Sequence, residues 1–92
     1  MKKVESRCRH SEIDLNGWGY ELMQKGHLEK ALAVFKLNVL LNPSSANVYD
    51  SYGEALLNAG DKKDAIRMYQ KSIELNPKNE HGKKILQEIK DQ

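Results

Sequence analysis

One cysteine, one tryptophan, one phenylalanine and two prolines are the scarcest features of this 92-residue sequence. A single cysteine, Cys8, cannot form an internal disulfide framework. No apolar run approaches the roughly 18 residues of a membrane span. The first ten residues carry positive charge but no apolar stretch follows them, so they do not read as a secretory signal. That makes a cytoplasmic protein the expectation if the chain is complete, and leaves the compartment open if it is a fragment. Sustained two-residue alternation and hairpin dipeptides are both missing, which removes the β-strand signal. Two prolines set against 39% hydrophobic residues argue against disorder.

Catalytic and metal-binding patterns are equally scarce. The six glycines stand singly, so there is no phosphate-cradling loop. His10, His27 and His81 lie far apart, and none sits one helical turn from another His or Cys. Cys8-Arg9-His10 is too cramped and isolated for a four-ligand metal site. Cys8 paired with a histidine lacks an orienting third group. Asp50 and Glu54 would need a closed pocket for acid–base work. The sequence thus predicts no enzyme, no metal and no cofactor.

Charge is unevenly distributed. The formal net charge is +2, with a pI near 8.7. Residues 1–10 hold Lys2, Lys3, Arg7 and Arg9 against Glu5, a net +3, so the remainder carries −1. The basic character belongs to an N-terminal tail, residues 1–11, which is expected to be flexible. The rest, residues 12–92, is near neutral, which speaks against nucleic-acid binding by the folded part.

Sliding the sequence by 34 residues aligns Gly19 with Gly53, Leu22 with Leu56, Gly26 with Gly60 and Ala31 with Ala65. It also superposes Leu41-Asn42-Pro43 on Leu75-Asn76-Pro77, Trp18 on Tyr52, Phe35 on Tyr69 and Val39 on Ile73. Each unit predicts two helices. Leu15, Trp18, Gly19 and Leu22 share one helical face, and Leu28, Ala31, Leu32, Phe35 and Val39 share the next, over Leu28–Leu41. The second unit repeats this with Tyr49, Tyr52, Gly53 and Leu56 over residues 46–58. Ala65, Ile66, Tyr69 and Ile73 follow over residues 62–75. Gly26 and Gly60 are placed to end helices in the left-handed conformation. Ser45, Asp61 and Asn79 are the expected helix caps. A last helix, residues 80–90, has a narrow stripe of Ile85, Leu86 and Ile89, as an end cap requires. Gly19 and Gly53 are expected where paired helices approach, with Ala31 and Ala65 opposite and Trp18, Tyr52, Phe35 and Tyr69 filling gaps.

The set Leu15-x2-Trp18-Gly19-x2-Leu22, Ala31-x3-Phe35, Pro43 and its copy Tyr49-x2-Tyr52-Gly53-x2-Leu56, Ala65-x3-Tyr69, Pro77 resembles the tetratricopeptide repeat. The resemblance implies an all-α fold: a right-handed superhelical solenoid of two helix-turn-helix units, residues 12–45 and 46–79, with a capping helix over 80–90. It also implies a non-catalytic protein–protein interaction module. Its concave groove would be lined by Ile13, Asn16, Tyr20, Met23 and Gln24, then Asn47, Asp50, Glu54, Leu57 and Asn58, then His81, Lys84 and Glu88. One subgroup clamps a partner's C-terminal carboxylate with Lys, Asn and Arg at such positions. Here they hold Asn16, Tyr20, Asp50, Glu54, Lys84 and Glu88, and the Asp50/Glu54 pair would repel a carboxylate. A basic or amphipathic protein segment is the expected ligand, with no nucleic acid and no membrane. The same residues also read as a solvated helix face.

The stretches Phe35-Lys36-Leu37-Asn38-Val39 and Ser45 to Ala55 are similar to repeats at the C-terminal end of bacterial β-lactamase-like serine hydrolases. That likeness implies an accessory or oligomerisation region as the alternative. Two units fall short of the three or so that stacked repeats usually need. The N-terminal face around Ile13, Leu28 and Leu32 is therefore expected to make a contact, in a homodimer or with another domain.

Overall fold

The computed structural model describes residues 12–91. The tail, with Cys8 and His10, lies outside the described residues. Five helices follow in order: α1 Glu12–Gln24, α2 Leu28–Leu41, α3 Ala46–Asn58, α4 Lys62–Leu75 and α5 Glu80–Lys90. There is no strand among the described residues. Each helix packs on the next, and α1 also touches α3. The helix boundaries agree with those expected from the 34-residue pattern.

The turns repeat as faithfully as the helices. Gly26 and Gly60 both have φ +85°. The amide of His27 donates to the Leu22 carbonyl at 2.8 Å, and that of Gly26 to Met23 at 3.1 Å. In the second unit Asp61 donates to Leu56 at 2.9 Å and Gly60 to Leu57 at 3.0 Å. This is a Schellman ending, in which a left-handed glycine lets two otherwise orphaned carbonyls be satisfied. The residue after the glycine then starts the next helix. Asp61 does so with its side chain, accepting from the Asp64 amide at 3.2 Å. Asn79 likewise accepts from the Gly82 amide at 3.0 Å. Ser45, expected to cap α3, makes no side-chain cap bond.

Two buried clusters form the core. Ala31, Phe35 and Ala55 make one, with Tyr20, Leu22, Met23, Leu32 and Tyr52 packed on it. Leu56, Ala65, Tyr69, Leu86 and Ile89 make the other. Leu32 and Tyr52 touch both clusters, so they couple the first unit to the second. The glycine opposite each aromatic ring sets the approach within a unit. A Cβ on Gly19 would lie 2.6 Å from the Phe35 ring, and one on Gly53 would lie 3.0 Å from Tyr69.

The structure departs from the sequence reading at several positions. The atoms nearest to the two glycines are those of the Phe35 and Tyr69 rings. Trp18 fills no gap between helices: it is 52% exposed. Leu32 is not on an outer face but bridges the two clusters, while Leu28 is half-buried and Ile13 exposed. Asn38, Ser51 and Ser72 are buried polar residues within the core. Asn38 Nδ2 donates to the Glu12 carbonyl at 3.0 Å, and Ser72 Oγ donates to the Ala46 carbonyl at 2.7 Å. These are equivalent bonds one repeat apart. Each ties the end of a unit's second helix to the start of its first.

The glycine contacts make a graded prediction. Gly19→Ala gains about 1 kcal/mol of helix propensity but overpacks the Phe35 ring, at a cost of about 1–3 kcal/mol. We expect net destabilisation, seen as a thermal midpoint lowered by roughly 4–8 °C per kcal/mol in a domain of this size. Gly53→Ala, with looser contact, should stay within about 1 kcal/mol of wild type.

Candidate peptide-binding groove

The first helices of successive units lie side by side and are joined by polar side chains. Tyr20 of α1 sits edge-on to Phe35, ring centroids 5.2 Å apart, which aims its hydroxyl at α3. That hydroxyl donates to Glu54 Oε1 at 2.7 Å, with Ser51 Oγ at 3.4 Å. Tyr20 and Glu54 occupy the same position in consecutive repeats. Met23 and Asn58 make a second α1–α3 link, Asn58 Nδ2 lying 3.3 Å from Met23 Sδ.

Asp50 organises the other junction. Its Oδ2 accepts from Asn79 Nδ2 at 2.9 Å, and both oxygens lie 3.1 Å from His81 Nδ1. Asn79 Nδ2 also reaches Ser72 Oγ at 2.8 Å. Asn79 therefore does two jobs: its oxygen caps α5 and its amide nitrogen bonds α3 and α4. The Asp50 side chain is only 13% exposed, whereas His81 is open at 55%. His81 also faces Tyr69 edge-on, at 6.4 Å between centroids.

Of the expected groove residues, Tyr20 meets Glu54, Met23 meets Asn58 and Asp50 meets His81, in three separate contacts. Leu57 is half-buried against the second cluster. Asn47 and Lys84 are exposed on α3 and α5. Asn16 is half-buried, and its Oδ1 is buried with no hydrogen-bond partner. Its counterpart one repeat on is Asp50, which has two donors. The positions that supply those donors are Asn79 and His81, whose own counterparts are Ser45 and Asn47. Asn79, Ser51 and Ser72 were not expected at the site. Asn79 reads from sequence only as a cap, and an isolated Ser inside a helix carries no signal for burial.

The carboxylates shape the local electrostatics. Burial pushes the Tyr20 hydroxyl well above its ordinary value of 10, and the neighbouring Glu54 and Asp50 charges add to the effect. Tyr69 is raised chiefly by burial, then by Asp50 and Glu54. Tyr52 is raised by burial, then by Asp64 on α4 and by Asp61, which caps that helix. Among the described residues no group of three or more His, Cys, Asp or Glu could hold a metal ion. No helix there is long and apolar enough to cross a membrane.

Stacked helix pairs with a row of polar and aromatic side chains along their first helices define a helical-repeat protein. Residues 46–79 match the tetratricopeptide repeat family. The chain is also 33% identical, over 69 residues, to the small glutamine-rich tetratricopeptide repeat-containing protein 2 of Mycosarcoma maydis. The alignment covers 75% of this chain and 20% of that protein, so the chain spans about a fifth of its relative's length. Both findings support a tetratricopeptide repeat in this chain, and repeats of this kind point to a protein–protein interaction module. Neither finding bears on the serine-hydrolase resemblance.

The tyrosines give a pH prediction. A phenol whose pKa is raised on folding holds its proton more tightly in the folded state. Its contribution is complete below pH 10 and is lost as the pH climbs past 10 through the raised value. In an ultraviolet titration, Tyr20 and Tyr69 should ionise later than free tyrosine, and helicity should fall in the same alkaline range.

Proposed function

We propose that the chain is a non-catalytic module that holds a basic or amphipathic segment of a partner protein along α1, α3 and α5. The observation that carries this reading is the pairing of two half-buried carboxylates, Asp50 and Glu54, on one face of α3, with Tyr20 anchored beside them. Their spacing of four residues places both on one side of the helix. Tyr20, Met23 and Leu57 supply apolar contact around this acidic centre. Asn16 and Asn47 offer hydrogen bonds, and Lys84 closes the α5 end with a positive charge. Both carboxylates already accept intramolecular bonds, so a basic ligand joins an organised acidic site rather than ordering a loose one. Such preorganisation lowers the entropic cost of binding. A carboxylate-ended ligand would instead meet like charge.

Fluorescence polarisation with length-matched basic amphipathic, acidic and neutral peptides tests the reading. The basic amphipathic peptide should bind, and added salt should weaken it. Glu54→Gln, which can still accept from Tyr20, should lose about tenfold in affinity, or about 1.4 kcal/mol. Equal binding of the acidic peptide, or no effect of Glu54→Gln, would refute it.

A further inference from the structure

The ring that packs against the glycine differs between the two units. It is Phe35 in the first and Tyr69 in the second. Both rings are fully enclosed, Phe35 at 0% exposed and Tyr69 at 1%. The fold therefore asks for an aromatic ring at this position, not for a hydroxyl. Tyr20 and Tyr49 donate their hydroxyls, to Glu54 and to the Pro43 carbonyl. The Tyr69 hydroxyl makes no hydrogen bond among the described residues. A buried hydroxyl without a partner is costly, and the packing does not require this one.

Its surroundings place that hydroxyl at the groove. The Tyr69 ring lies across Gly53, with Cζ, the carbon that bears the oxygen, 3.2 Å from where a Cβ would stand. Gly53 falls between Asp50 and Glu54 on α3. The ring also faces His81, which bonds Asp50. The ionisable groups whose charge bears on the hydroxyl are Asp50, Glu54 and Tyr20, all expected groove residues. Among the described residues Asn16 Oδ1 is the one sealed side-chain oxygen or nitrogen without a partner, so the Tyr69 oxygen keeps a narrow contact with solvent.

The neighbouring carboxylates are not equally free. Asp50 has both oxygens engaged, by Asn79 and His81. Glu54 uses Oε1 for Tyr20, and its Oε2 accepts no bond among the described residues. An unpaired phenol oxygen in the field of a carboxylate with open lone pairs suits a donor that carries both positive charge and several N–H groups. Among side chains these are the lysine ammonium and the arginine guanidinium. We propose that Tyr69 is a ligand-reading residue of the groove, its hydroxyl oxygen accepting one N–H of a lysine or arginine side chain whose charge rests against Glu54 Oε2. This rests on the groove reading above and adds a position to it. Phe35 offers no such acceptor, so the cation is read at the second unit and not at the first.

Tyr69→Phe is the test, because Phe35 shows that the bare ring fits the position. Fluorescence polarisation follows two labelled amphipathic peptides, identical except that one carries Lys where the other carries Arg. The variant should keep the wild-type thermal midpoint and bind at least one peptide about tenfold more weakly. A loss confined to one peptide supports the proposal and names the head group. Unchanged binding of both would overturn it; if Glu54→Gln still weakens them, the groove reading stands. Failure of both peptides to bind the wild type would remove the two readings together. Should the variant's midpoint fall, the wild type decides: peptide must shift the Tyr69 Cζ resonance in protein with isotope-labelled tyrosine, and an unmoved resonance overturns the proposal.

Discussion

The closeness of the two helices within each unit is the constraint on which the remaining packing depends. The Phe35 ring lies where a Cβ on Gly19 would sit, and Tyr69 stands almost as near to Gly53. An aromatic ring against a bare backbone lets two helices approach while still filling the space between them. From that approach the rest follows. Ala31 and Ala65 are small enough to be wholly buried. Asn38 and Ser72 come within reach of the carbonyls at the start of α1 and α3. Tyr20 rests edge-on to Phe35, and so presents its hydroxyl to α3.

Polar bonds then do what apolar packing cannot. Hydrophobic contacts are non-directional, and a stack of similar helices could slide. The side-chain bonds between units are directional and register-specific. Tyr20 reaches Glu54, its own equivalent one repeat on. Asn79 fixes α5 by capping it while bonding Asp50 and Ser72. Because Asp50 and Glu54 serve both this register and the proposed ligand face, binding and stacking share the same carboxylates. A ligand that engages them acts directly on the junctions between α1, α3 and α5.

Most of the architecture was legible in the sequence because repetition makes a local signal count twice. Gly26 and Gly60 alone suggest turns; at a spacing of 34 they imply the same turn, and both adopt φ +85°. Helix boundaries followed from the turns and the prolines. What escaped notice has physical causes. Asn38, Ser51 and Ser72 look like surface residues, and they are tolerated inside because backbone carbonyls or a neighbouring hydroxyl satisfy them. The donors to Asp50 stand 29 and 31 residues away, beyond any local pattern. Trp18 shares a helical stripe with Leu15 and Leu22, but periodicity says which residues share a face, not whether a neighbour covers it.

That last distinction explains why the two ends of the molecule differ. At the C-terminal end, α5 buries Leu86 and Ile89 and turns Lys83, Lys84, Gln87 and Glu88 to solvent. A helix with one apolar and one polar face closes a stack. At the N-terminal end the outer helix keeps a large aromatic where a stack would continue, but surrounds it with acids where a stack would need Val and Ala. Neither a continuing interface nor a finished cap would combine these. One of those acids, Glu21, already holds a cation of its own, Lys25 Nζ at 3.2 Å.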